Sequence, residues 1–190
     1  MKRILFFIVC ISLMPSNFAE ADVSDKNAQL IQAAKDGNLP AIKIALSKGT
    51  APNAKDEGGV PVLMWAARNG HTKVVKTLLE KGADVNAKDT TDGVTALMVA
   101  SQNGHVEVVK LLLEKGAEVN AKDNEGGTAL MWASQKGHTE IAETLLEKGA
   151  EVNARANNGA TALIMAVAEK GHMQIVKLLL GKGADINTEA

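Results

Sequence analysis

Residues 128–154 read TALMWASQKGHTEIAETLLEKGAEVNA, and this stretch decides the fold. The run before it, Asp123-Asn124-Glu125-Gly126-Gly127, reads as a turn, because Asp, Asn and Gly tolerate left-handed backbone and local side-chain bonding. Thr128 is placed to cap a first helix, and Gly137 is placed to end it in a left-handed conformation. A second helix follows, with Ile141, Leu145 and Leu146 on one apolar face. Glu140 near its start and Lys148 near its end complement the helix dipole. Each helix is expected to span only ~10 residues, below the ~12–15 at which isolated helices become even marginal in water. A pair like this folds only against neighbours.

Those neighbours exist. Gly-His pairs begin at Gly70, Gly104, Gly137 and Gly171, and Gly-Ala pairs at Gly82, Gly116, Gly149 and Gly183, always 33 or 34 residues apart. A fixed period of this size means a stacked repeat array, which works as a surface more often than as a pocket around a catalyst. The first helices start at Pro61-Val62-Leu63-Met64-Trp65-Ala66, Thr95-Ala96-Leu97-Met98-Val99-Ala100, Thr128-Ala129-Leu130-Met131-Trp132-Ala133 and Thr161-Ala162-Leu163-Ile164-Met165-Ala166. A degenerate earlier copy begins near Ala28 and keeps Leu30, Ala33, Gly37, Ala45-Leu46, Gly49 and Asn53.

Together these columns resemble the ankyrin repeat, over about Asp25 to Asn187. The resemblance implies an all-α solenoid of stacked helix pairs with short β-hairpin-like turns, and a concave face that binds another protein. The expected divisions are a signal peptide at 1–21, a degenerate capping repeat at 22–56, and repeats at 57–89, 90–123, 124–155 and 156–190. Met or Ile stands where the family has a His at the first-helix start, so the family's Thr-to-His bond cannot form and a flexible Met fills the space. Softer helix starts are expected. One insertion lies in the turn Thr90-Thr91-Asp92-Gly93, whose hairpin tip should project further. Another lies inside the last first-helix. Counted from Thr161, Met165 falls in the tryptophan column. Counted back from Gly171, it falls in the methionine column.

The amino terminus reads differently. Met1-Lys2-Arg3 is a positive head, Ile4 to Met14 is almost uninterruptedly apolar, Pro15 breaks the run, and Ala19-Glu20-Ala21 offers small residues for cleavage. That pattern is a secretory signal peptide, and the run is too short for a membrane anchor, which needs ~20 residues. A periplasmic or secreted location follows, with cleavage after Ala21. Removing the segment takes away the single cysteine and all three phenylalanines, and moves the net charge from −1 to −2. No thiol chemistry remains. There is no basic excess to hold a phosphate backbone, so nucleic acid is excluded as an expected partner.

No catalytic set is expected. Ser101 and Ser134 recur in equivalent positions, but a nucleophile needs an adjacent base held by a third group. His71, His105, His138 and His172 sit one per repeat. Packed helices lie ~8–10 Å apart, whereas a shared zinc needs each nitrogen at ~2 Å, so no metal site is expected. The resemblance makes these histidines structural ties between neighbouring loops. No cofactor is implied.

Trp65 and Trp132 are the only aromatic residues of the processed chain and share one column, with Val99 between them. Tryptophan is enriched at interface anchors, although a large residue there also serves simple packing. The expected partner-binding set is Trp65, Arg68, Asn69, Val99, Gln102, Asn103, Trp132, Gln135 and Lys136 on the first helices. Glu57, Thr91, Asp92, Asn124, Glu125 and Asn158 join them at the hairpin tips. The first copy carries Gln29, Gln32, Lys35, Asp36 and Lys43, which suits a polar cap. The last repeat keeps Ile175, Val176, Leu178, Leu179 and Leu180. Solenoid ends need a polar outer face, so this apolar end is expected to meet a partner or a second copy.

Overall fold

Ten helices lie among the residues that the computed structural model describes, 16–168 and 171–186, with side chains from Val23 onward. Met1–Pro15, which hold most of the expected leader, and Asn187–Ala190 lie outside them, as do Glu169 and Lys170. In chain order the helices are α1 (Ser16–Lys35), α2 (Leu39–Ser47), α3 (Val62–Arg68), α4 (Thr72–Glu80), α5 (Ala96–Gln102), α6 (Val106–Glu114), α7 (Ala129–Lys136), α8 (Thr139–Glu147), α9 (Ala162–Ala168) and α10 (Met173–Gly181). Odd-numbered helices pack on one another as an inner row, and even-numbered helices as an outer row. Five helix pairs stack in this way. No strand occurs among the described residues, only isolated antiparallel bridges at Lys55–Pro61 and Lys88–Thr95. The all-α solenoid with hairpin-like turns stands as expected.

The inner helices after α1 have seven or eight residues and the outer ones nine, so their stability comes from burial. Inner-helix residues such as Leu63, Leu97 and Leu130 and outer-helix residues such as Leu78, Leu112 and Leu145 belong to one core, all nearly solvent-free. Met64, Met98 and Met131 are also buried, filling the corner that the sequence assigned to packing. Thr95 and Thr128 cap α5 and α7 by accepting from the Met98 and Met131 N–H, while Pro61 heads α3 with no side-chain cap. The helix starts are therefore tied at the threonines rather than left to methionine packing alone.

Ladders of hydrogen bonds run along the stack. The Nε2 atoms of His71, His105, His138 and His172 reach the carbonyls of Lys35, Arg68, Gln102 and Gln135, each one repeat earlier, at 2.8–3.1 Å. These histidines are structural ties, and their acceptors are the last-turn carbonyls of the preceding inner helix. Asn53, Asn86, Asn120 and Asn153 each donate to a glycine carbonyl of the next repeat and accept from a backbone N–H two residues further on. A helix end leaves carbonyls unsatisfied, and these side chains satisfy them across the repeat boundary.

Two features depart from simple periodicity. Helix α1 starts at Ser16, twelve residues before the degenerate copy's first column, and runs through the expected cleavage position. The insertion in the last repeat is also located. Thr161 caps α9 by accepting from the Ile164 N–H, and the Met165 N–H donates to the Thr161 carbonyl, as Met131 and Trp132 do to Thr128. The His172 N–H then reaches back to Ala166, whereas His138 reaches to Ala133. The extra residue thus lies after Ala166, and Met165 belongs to the tryptophan column.

Candidate protein-binding groove

The inner helices and the hairpin turns form one face of the stack, and the column Trp65, Val99, Trp132, Met165 runs along it. Each indole is fixed by its own hairpin. Trp65 Nε1 donates to Asp56 Oδ2 at 2.8 Å, and Trp132 Nε1 to Asp123 Oδ2 at 3.2 Å. The same carboxylates close their turns: Asp56 accepts from the Val60 N–H, and Asp123 from the Glu125 and Gly127 N–H groups. Burial alone would push the Asp56 carboxyl up. The Val60, Trp65 and Gly58 N–H donors and nearby Lys35 outweigh it and hold it below the usual carboxylate range. In the repeat where Val99 replaces tryptophan, Asp89 bonds only backbone, at Asp92 and Val94.

Half-buried and held at one edge, each indole offers its ring face rather than its N–H. The face of Trp65 is already in use: Lys35 Nζ lies 4.1 Å from its ring centroid, and the Arg68 guanidinium carbon 5.6 Å. Between the tryptophans is a hollow of about 290 Å³, lined among others by Trp65, Arg68, Asp92, Val99, Gln102 and Trp132. The next, of about 550 Å³, has Gln102, Glu125, Trp132, Gln135, Asn158 and Met165 on its walls. A third, of about 840 Å³, lies where α1 faces the first hairpin and includes Ile31, Lys35 and Glu57. Gln102 and Trp132 line both central hollows, so the two adjoin along one face.

The expected binding residues divide accordingly. Trp65, Arg68, Asp92, Val99, Gln102, Trp132, Glu125, Gln135 and Asn158 meet in the central groove, and Glu57 faces its amino-terminal end. Asn69 and Asn103 are turned to the scaffold, donating to the carbonyls of Lys35 and Val99. At the tips, the Thr91 carbonyl accepts from Asn124 Nδ2, and the Asn124 carbonyl from Asn157 Nδ2, so these two residues knit hairpin to hairpin. Lys136 is exposed at the end of α7, outside the lining of either central hollow. The groove also uses residues that sequence reasoning passed over. Asp56 and Asp123 stand nine residues before each tryptophan, a spacing visible in the sequence. Met165 was hidden by the insertion, and Lys35 by the degeneracy of the first repeat.

The serine hydroxyls of Ser101 and Ser134 are buried without a hydrogen-bond partner, so no base stands beside either. Among the described residues no group of histidines and acidic residues is arranged to hold a metal ion, and no helix is long and apolar enough to cross a membrane.

Comparison with protein families accounts for this architecture. The model for ankyrin repeats, three copies in length, matches residues 8–89, 30–123, 86–156 and 121–190. The chain belongs to the ankyrin-repeat family. Ankyrin repeats are protein–protein interaction modules and not, as a rule, catalysts, so this ankyrin array is built to bind another protein. The first match begins at residue 8, inside the stretch read as a leader. No curated protein matched the chain.

Proposed function

We propose that this ankyrin array is a non-catalytic binding protein of the periplasm that grips its partner in the groove along Trp65, Val99, Trp132 and Met165. The reading rests on one observation: both indoles are locked by hairpin carboxylates and line adjoining hollows along one face. Such a surface loses little freedom on binding, which favours affinity. The leader-like residues 1–21 direct the chain to an exported compartment. There it serves as an inhibitor, immunity-type or chaperone-like partner of an exported enzyme. If the chain is instead released from the cell, the same groove binds a host protein, and fractionation separates the two locations.

Affinity capture from the periplasmic fraction tests this reading. Because the indoles also hold the hairpins, the informative variants are at Arg68 and Gln135 rather than the tryptophans. Arg68→Glu with Gln135→Lys should remove most captured partner while leaving the melting temperature within a few degrees. Undiminished capture by this double variant would point to another face.

A second surface has its own observation. Val167, Leu180 and Ile186 are exposed around an apolar hollow of about 440 Å³ at the α9–α10 end. At the α1–α2 end the exposed surface is mixed, with Gln29, Gln32, Asp36 and Lys43 beside Val23 and Ile44. Apolar surface favours association, and the carboxy-terminal face of a second copy offers matching chemistry. Sedimentation at rising concentration should therefore show a dimer that Leu180→Glu abolishes. A monomer at all concentrations would remove this part of the reading.

A further inference from the structure

The stack holds two versions of one site. Each tryptophan lies between two positions of a single column: the last-turn residue of the preceding inner helix, and the residue three further along its own helix. The histidine ladder marks this column, because its carbonyl acceptors are Lys35, Arg68, Gln102 and Gln135 in order. Around Trp65 the column supplies Lys35 and Arg68, and both cations lie over the ring. Around Trp132 it supplies Gln102 and Gln135. The tie to the hairpin is kept: the Trp132 indole is bonded to Asp123 as Trp65 is to Asp56. The hollow beside it contains Asp123 and Glu125, and no basic residue is among its lining residues.

We infer that the hollow at Trp132 receives a basic side chain, lysine or arginine, from a surface segment of the partner protein, in the place that Lys35 and Arg68 occupy at Trp65. The inference rests on the groove being the binding face and adds what chemistry enters it. The ring face attracts a cation through its quadrupole, and Asp123 and Glu125 supply negative charge on the hairpin side. The Gln102 and Gln135 amides add donors and acceptors without repelling a cation. Met131 and Met165 line the hollow too, giving apolar, adaptable contact for the methylene stem. The occupant is thus identified by the chain's own filled copy of the site.

The two tryptophans give two indole N–H resonances, so the 15N-labelled protein reports each site separately. Titration with the capped peptide Gly-Ser-Arg-Ser-Gly should move the Trp132 resonance saturably and the Trp65 resonance at least about threefold less. The same peptide with Glu in place of Arg should move neither. Gln102→Lys with Gln135→Arg, which rebuilds the covered site, should abolish the Trp132 response. Lys35→Gln with Arg68→Gln should create a response at Trp65, and this reciprocal variant decides the matter if the first does not fold. Equal responses at both indoles of the unaltered protein, no response at either, or an equal effect of the Glu peptide overturns the inference. Capture that is lost in Arg68→Glu/Gln135→Lys while the Arg peptide leaves Trp132 unmoved keeps the groove and discards the basic side chain. Capture that survives that variant discards the groove itself.

Discussion

At the residue scale, the buried hydroxyls of Ser101 and Ser134 have no hydrogen-bond partner, and the same column holds a buried alanine, Ala67, in α3. An unpaired buried polar group costs about 1–3 kcal/mol. Ser101→Ala and Ser134→Ala are therefore expected to leave stability unchanged or raise it by about 1 kcal/mol each, read from urea unfolding. A loss beyond 1 kcal/mol would mean that the hydroxyls find partners in solution. Asp56 gives a pH-dependent counterpart. Its carboxyl is held below the usual range by its N–H donors and Lys35 against the opposing effect of burial. A depressed folded-state value adds stability that is present above the unfolded value near 4 and lost as pH falls through the folded one. Asp56→Asn should flatten the decline in stability below pH ~4 while lowering stability at neutral pH. An unchanged acid limb would show that the carboxylate is not held as described.

At the scale of elements, the histidine ladder makes a test out of two glycines with similar backbone. Gly104 and Gly116 have φ of 78° and 88°, so an alanine at either meets the left-handed penalty of about 1 kcal/mol. Only Gly104 faces a neighbour: an added Cβ would lie 2.7 Å from His138 Cε1, whereas at Gly116 nothing stands within 4 Å. Gly104→Ala should thus cost at least about 1 kcal/mol more than Gly116→Ala, because the displaced ring also releases the Gln102 carbonyl. Equal costs would show that the His138 tie contributes little. The elements themselves were legible in the sequence because the repeats spell their own punctuation: a Gly stop and an apolar face four times, and a Thr cap in three of the four. What was not legible depended on interruptions of that spelling. The insertion after Ala166 left Met165 in two registers until the Thr161 cap fixed one. The fixing of the indoles by Asp56 and Asp123 is a contact between a turn and a helix face, which no helical period encodes.

At the scale of the whole molecule, no helix pair buries its apolar face alone, so the stack is expected to be cooperative. The groove exists only when hairpins and inner helices of successive repeats are assembled, since its hollows draw residues from three of them. Much of this level was foreseen from the repeat, including the shared tryptophan column. Its electrostatic asymmetry, with cations over Trp65 and glutamines beside Trp132, emerged only once the degenerate first repeat was aligned in space. The most direct test of the groove is hydrogen exchange on the protein with its captured partner. Protection should rise at the hairpins around residues 88–95 and 122–128 and along α5 and α7, with the outer helices α4, α6 and α8 unchanged. Protection confined to the outer helices, with the hairpins exchanging as in the free protein, would contradict the account.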